Sequence, residues 1–362
     1  MFSSLGPARA RAGAAAAGLL VAGLLAGCAR PVDAPGSPVD GLHACPAAGS
    51  LIGVFTGQDP TPATGDGPGV QGSDTWGLTV AGTARQVTND GVHTGAVISP
   101  DGRTIYQLRS SGRLLGDSME APSVIEQRDV RTGRTSTVAQ LPAIVDVAVS
   151  DDGRRLAVAH TAESHPDTGL DVNTVAVVDL ASPDTPTDLS RAPDVAPDLY
   201  SVVTQVALSP DGTRVAYALA VEVRRGAVVT TLRIRDLGTS ADAVVYTAQG
   251  SDFFTDLAWS PDGATVLAVI RYQNAGDDVD SPARFRTLRV DPAGGGAAVE
   301  IGYAPDLSPR SVDAGTLIGL APMPDDPRGR ALVSWARGRG PSDRLSIGHG
   351  AAGISVASCS YR

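Results

Sequence analysis

Four stretches of this 362-residue chain repeat one pattern: an apolar run, a tight turn, then a second apolar run. They span 96–106, 147–157, 206–216 and 257–267. Their turns read Ser99-Pro100-Asp101-Gly102, Ser150-Asp151-Asp152-Gly153, Ser209-Pro210-Asp211-Gly212 and Ser260-Pro261-Asp262-Gly263. The turn serines lie 51, 59 and 51 residues apart, room for one four-stranded antiparallel unit with its loops. The turn chemistry is explicit. Proline holds φ at about −65° early in the turn, aspartate caps it through its side chain, and glycine takes the positive φ. Asp101, Gly102, Asp152, Gly153, Asp211, Gly212, Asp262 and Gly263 are therefore structural turn residues.

Each repeat continues in the same way. A third strand follows at 124–130, 174–180, 232–237 and 286–291, and a weaker fourth at 135–141, 187–190, 243–246 and 298–301. Apolar residues alternating with small ones suit half-buried strands. Aromatics make up only 4% of a chain with 42 Gly and 26 Pro, which disfavours a helical bundle.

An inner strand leading into Ser-Pro-Asp-Gly, in four copies with matching downstream strands, resembles the WD-type propeller repeat of bacterial TolB-like proteins. The resemblance implies an all-β chain folded as a single β-propeller. Six four-stranded blades are expected, seven being the alternative count. The ends supply the remaining blades. Segments 50–56, 76–80 and 85–88 make a first blade without the signature turn. Segments 316–322, 331–336 and 344–348 make a last one, with Pro322-Met323-Pro324-Asp325-Asp326 as a degenerate turn. One further strand is left at 354–361, and a terminal strand paired into the first or last blade would close the ring and remove two open edges.

The N-terminal region carries an address. Residues 1–27 read as a secretory signal, with Arg9 and Arg11 ahead of an uncharged apolar run at 14–25. That run is short of the about 20 residues a spanning helix needs. It ends in Leu25-Ala26-Gly27-Cys28, which resembles the bacterial lipobox and implies acylation of Cys28; an ordinary cleaved signal with an incidental cysteine is the alternative. Residues 28–42, with three prolines, form a tether behind the lipidated cysteine, and 43–362 form the propeller. The expected location is the cell membrane, lipid-anchored and facing the extracytoplasmic side. Two cysteines remain, Cys45 and Cys359, near the two ends of the folded body. In an oxidising compartment they most simply form one disulfide that staples the ring, the alternatives being a metal pair or two free thiols.

Candidate chemistry is sparse. Net charge is −10, all 29 basic residues are arginine, and no basic run occurs, so nucleic acid is not expected as a partner. His43, His93, His160, His165 and His349 show no metalloprotease spacing; His93 and His160 flank strands and read as structural or rim residues. No Gly-x-Ser-x-Gly elbow occurs, since Gly116-Asp117-Ser118-Met119-Glu120 lacks the second glycine. Asp146 and Asp256 precede inner strands, with Gly95 and Gln205 at the equivalent places. They are read first as hydrogen-bonding a neighbouring blade's turn, and second as an electronegative channel mouth for a cation or basic peptide. Asp277, Asp278 and Asp280 offer an oxygen-rich cluster of the kind calcium favours, but without the helix-loop-helix rhythm. A solvated loop is the preferred reading, so no metal and no cofactor is expected.

Insertions at 58–73, 116–123, 162–172 and 272–282 all fall between second and third strands, which places them on one rim, where binding would reside. The functional expectation is a monomeric cell-envelope lipoprotein: a non-catalytic recognition or scaffold module for an envelope protein, a peptide or a cell-wall glycan. The alternative is a channel-centred propeller enzyme, lactonase- or sugar-dehydrogenase-like, with a metal or quinone.

Overall fold

The computed structural model describes residues 51–58, 73–79, 84–110, 122–164, 171–189, 191–196, 199–224, 227–250, 252–272, 284–294, 298–302, 310–311, 316–323, 326–336, 341–349 and 354–357. Cys28, Cys45, Cys359, Asp277, Asp278 and Asp280 lie outside these residues, as do the signal and the tether. Among the described residues no helix is long and apolar enough to cross a membrane.

Among the described residues the strands form six four-stranded antiparallel sheets, taken here as I to VI in chain order. Sheet I holds β1 (Gly53–Gln58), β2 (Ser73–Leu78) and β3 (Ala84–Gln86). Sheet II holds β4 (His93–Ile98), β5 (Thr104–Ser110), β6 (Pro122–Asp129) and β7 (Thr135–Pro142). Sheet III holds β8 (Ile144–Val149), β9 (Arg155–Ser164), β10 (Asp171–Asp179) and β11 (Thr187–Asp188). Sheet IV holds β12 (Ser201–Leu208), β13 (Arg214–Arg224), β14 (Ala227–Asp236) and β15 (Asp242–Thr247). Sheet V holds β16 (Phe253–Trp259), β17 (Val266–Tyr272), β18 (Arg284–Val290) and β19 (Val299–Gly302). Sheet VI holds β20 (Arg310–Ser311), β21 (Thr316–Met323), β22 (Asp326–Ala336) and β23 (Pro341–His349). The last strand, β24 (Ile354–Val356), pairs with β1 and becomes the first strand of sheet I.

Apolar contacts between sheets trace a circle. Val54 packs with Ile98 and Ile105 across I and II, Ile125 with Val158 across II and III, and Val175 with Leu219 across III and IV. Leu232 packs with Ile270 across IV and V, β16 lies beside β20 across V and VI, and Leu320 and Leu332 join Phe55 and Leu78 across VI and I. The chain is therefore all-β and a single propeller.

Second strands are more deeply buried than alternation suggested. Leu156, Ala157, Val158 and Ala159 are all fully covered, and Val266 to Ile270 of β17 nearly so. Sheets stacked face to face around a ring cover both sides of the second strand, so it reads as a continuous apolar run. Each of the valine, leucine and isoleucine side chains contributes about 1.5–3 kcal/mol when buried.

The four signature turns are built alike. Ser99 Oγ donates to Asp101 Oδ1 at 2.6 Å and accepts the Thr104 amide at 2.9 Å, and the Gly102 amide donates to the Ser99 carbonyl at 2.9 Å. The same serine–aspartate bond recurs at 2.6 Å in the turns of Ser150, Ser209 and Ser260. Gly102, Gly153, Gly212 and Gly263 hold φ of 70°, 68°, 65° and 67°. Three of the four turns also accept a hydrogen bond from the preceding sheet's side of the ring. Arg155 donates to the Gly212 carbonyl at 2.7 Å and Arg214 to that of Gly263 at 3.0 Å, while the Leu51 amide reaches the Gly102 carbonyl at 3.1 Å.

Two predictions follow from this turn chemistry. A Cβ on Gly212 would stand 3.3 Å from Ser150 Cβ, whereas one on Gly250, at φ 60°, meets nothing within 4 Å. Both alanine substitutions carry the left-handed penalty of about 1–2 kcal/mol. Gly212→Ala should lower the melting temperature more than Gly250→Ala, the excess measuring the inter-sheet contact. The Ser209 hydroxyl beside Asp211, and the Ser260 hydroxyl beside Asp262, hold both carboxyls below the usual carboxylate range. Their stabilisation is present above the unfolded pKa of about 3.9 and lost as pH falls through the folded value. Asp211→Asn should therefore flatten the acid limb of a stability–pH curve recorded by denaturant melts.

Candidate functional site

First strands of five sheets, β24, β4, β8, β12 and β16, line a central channel. Four of them, β4, β8, β12 and β16, carry a bulge at the same place: between His93 and Gly95, Ile144 and Asp146, Val203 and Gln205, and Phe254 and Asp256. A bulge adds one unpaired residue and re-aims the side chains around it. The residues after the bulges, Gly95, Asp146, Gln205 and Asp256, all line one cavity of about 360 Å³, together with Thr94, Thr255 and Ser355. The four positions aligned from sequence thus occupy one structural level of the ring.

The lining is electrically one-sided. Asp146, Asp151 and Asp256 contribute carboxylates, and no arginine or histidine is among the described lining residues. A narrow cleft lined by one sign of charge focuses its field and concentrates counter-ions. Asp146 also has a structural task. Its Oδ1 accepts the Val147 amide and its Oδ2 the Val206 amide, both at 2.9 Å. The neighbouring-sheet bond expected from sequence goes to the next inner strand rather than to a turn, because the bulge aims the carboxylate sideways across the channel wall. Ser355 Oγ makes a similar link from β24 to the Ile98 amide of β4 at 3.2 Å. Asp256 lines the same channel two sheets beyond Asp146.

Two polar clusters lie outside the channel. In sheet III, His160 is buried; its Nδ1 faces the Thr161 carbonyl and its Nε2 faces Asp188 Oδ1, each at 2.9 Å. Asp188 borders a cavity of about 280 Å³ between sheets III and IV, beside Asn173, Ser201 and Tyr217. In sheet IV, Arg233 grips Asp194 with two guanidinium nitrogens, at 2.6 and 3.1 Å, and donates through Nε to Asp242 at 2.8 Å. Tyr217 donates its hydroxyl to the same fully buried Asp242. Burial first, then the Asp242 carboxylate, raises the Tyr217 pKa. Hydrogen bonds from Arg233 hold Asp194 below the usual carboxylate range. Sequence reading named His160 as a structural or rim residue but missed its Asp188 partner and the whole Arg233 cluster, because those contacts join separate strands and a crossover.

Solved structures give the fold an independent reference. TolB from Acinetobacter baumannii matches at a TM-score of 0.56 and 16% identity, over 85% of this chain and 67% of that one. An Agrobacterium tumefaciens protein assigned as TolB matches at 0.50 and 13%, over 84% and 91%. A chain of a nidogen–laminin complex matches at 0.53 and 11%, over 84% and 98%. No family model matches the chain, and no curated protein matches it by sequence. At these identities the likeness shows the fold alone: a β-propeller with TolB proteins among its structural neighbours.

Asp242 gives this region a direct test. Its removal leaves Arg233 and Arg235, both buried, facing a lost carboxylate. Asp242→Ala should cost about 3 kcal/mol of unfolding free energy, read by urea denaturation, and an exposed turn substitution such as Asp101→Asn should cost well under that.

Proposed function

We propose that this protein is an exported, lipid-anchored propeller that acts as a non-catalytic recognition module at the cell envelope. In this reading each of the six sheets is one blade of a closed ring, and Cys28 is the acylated anchor. Residues 28–42 are the tether, and Cys45 and Cys359 bridge the two ends. The observation that carries the recognition role is the one-sided channel. Three carboxylates on bulged strands and turns, Asp146, Asp151 and Asp256, line this cavity and suit a cationic segment of a partner protein or peptide. The TolB-like fold supports a scaffold of this kind without specifying the partner.

The channel reading is tested by fluorescence anisotropy with a labelled oligo-arginine peptide. Binding should weaken as salt rises and weaken further in Asp256→Asn, while an oligo-glutamate peptide stays unbound. Equal behaviour of the two peptides, or indifference to Asp256→Asn, overturns the cationic-ligand reading. The anchor is tested separately by metabolic labelling with a palmitate analogue. The native chain should take up label and partition into detergent, and Cys28→Ser should do neither.

A further inference from the structure

A group of three metal-ligating side chains lies away from the channel. Asp74, Asp90 and His93 each offer one donor atom, and these atoms all lie within 4.8 Å of one another. They come from three points of the fold: Asp74 from β2 in sheet I, Asp90 from the β3–β4 connection, and His93 from the first position of β4 in sheet II. Local backbone contacts hold the three together. Ser73 and Val92 form an isolated parallel bridge, and Ser73 Oγ donates to the His93 carbonyl.

The two inner ligands are pre-set and the third is free to close. Asp74 is buried; its Oδ1 accepts from Thr88 Oγ1 and the Gly91 amide and its Oδ2 from Gln86 Nε2, all at 3.1 Å. His93 is only 2% exposed, while the Asp90 side chain is 48% exposed. The His93 Nδ1 stands 2.9 Å from Asp90 Oδ1 yet lacks the direction of a hydrogen bond, so a buried ring nitrogen points into the cluster without a satisfied donor–acceptor contact. Behind the ring, Nε2 lies 2.9 Å from Gln107 Nε2 and 3.9 Å from Glu126 Oε2. The Gln107 Oε1 is buried without a partner.

We propose that Asp74, Asp90 and His93 form a site for one divalent transition cation, Zn²⁺ above others. One imidazole nitrogen with two carboxylates is a borderline donor set, whereas Ca²⁺ and Mg²⁺ favour oxygen alone. Zinc bonds of about 2.0–2.2 Å require the donors to draw closer, and a rotation of the exposed Asp90 provides that movement. Metal-ligating histidines are backed by an outer acceptor on the other ring nitrogen. Gln107 occupies that place: exchanging the two ends of its amide gives up the Gln107 Nε2–Glu126 Oε2 hydrogen bond of 3.1 Å, presents the orphaned oxygen to Nε2–H and leaves the Nδ1 lone pair for the cation, the Glu126 carboxylate turning toward Arg109. Glu126 keeps Arg109 at 3.7 Å. The bound ion neutralises paired carboxylates and ties sheet I to the entry of sheet II.

The test is calorimetric titration of the EDTA-stripped full chain with ZnCl₂, with CaCl₂ as the comparison, alongside thermal melts. The expected result is one Zn²⁺ per chain with a raised melting temperature, and no such effect from Ca²⁺. Asp90→Asn should weaken zinc binding at least about tenfold, and Gln107→Leu, which removes the acceptor behind Nε2, about ten- to a hundredfold, with far-ultraviolet circular dichroism unchanged in both. Failure of the native chain to bind zinc overturns the proposal and leaves the cluster as a cap on the β3–β4 connection. Binding of equal strength in Asp90→Asn overturns it as well, by placing the ion elsewhere.

Discussion

The ring depends on one short antiparallel pairing between the two ends of the folded body. Gly53, Val54 and Phe55 of β1 pair with Val356, Ser355 and Ile354 of β24, and the Ala357 amide extends the ladder to the Ile52 carbonyl at 2.9 Å. Without β24, sheet I has no inner strand, β1 presents an open edge, and the channel wall has a gap between sheets VI and II. The pairing also seats Ile354 and Val356 in the apolar cluster that joins sheet VI to sheet I. A three-residue ladder is weak alone. It holds because every other joint of the circle brings these ends together, so its formation requires little additional chain entropy.

Around that closure the sheets are linked at two levels. At the signature-turn level, serine–aspartate caps shape each hairpin, and arginines from one turn reach the next turn's glycine carbonyl. Arg214 also lies over the Trp259 ring, 4.6 Å from its centroid, and Trp259 Nε1 donates to the Ala207 carbonyl at 3.1 Å. At the bulge level, Asp146 and Ser355 cross from one inner strand to the next. The carboxylates that make the channel electronegative are thus partly the ones that hold its wall. Substitutions at Asp146 therefore act on the channel's charge and on its wall together.

Much of the fold was legible because a repeat multiplies weak signals. A single Ser-Pro-Asp-Gly turn means little, but four at nearly equal spacing fix the strand order of sheets II to V, and the later strands fall close to where they were read. The degenerate ends were harder. β20, only Arg310–Ser311, was not anticipated, because two residues carry no periodicity. The leftover segment after residue 354 was recognised as a strand, but that it lies inside sheet I is a fact of circular closure. In the candidate site, Asp146 and Asp256 were legible as equivalent positions. The Val206 amide that Asp146 bonds was not, since a bulge decides where that carboxylate points.

The sequence by itself determined the repeating hairpin, its turn chemistry and the all-β class, because φ preferences, side-chain caps and apolar runs act within a dozen residues. Tertiary structure alone decided that the closing strand joins the first sheet rather than the last, that second strands are covered on both faces, and which distant polar groups meet. Asp74 and His93 stand 19 positions apart on different sheets, and Arg233 and Asp194 stand 39 apart. Nothing in local preference brings such pairs together. They meet because stacking twisted sheets around an axis buries those faces, and a buried charge or ring nitrogen then needs whichever partner the neighbouring sheet supplies.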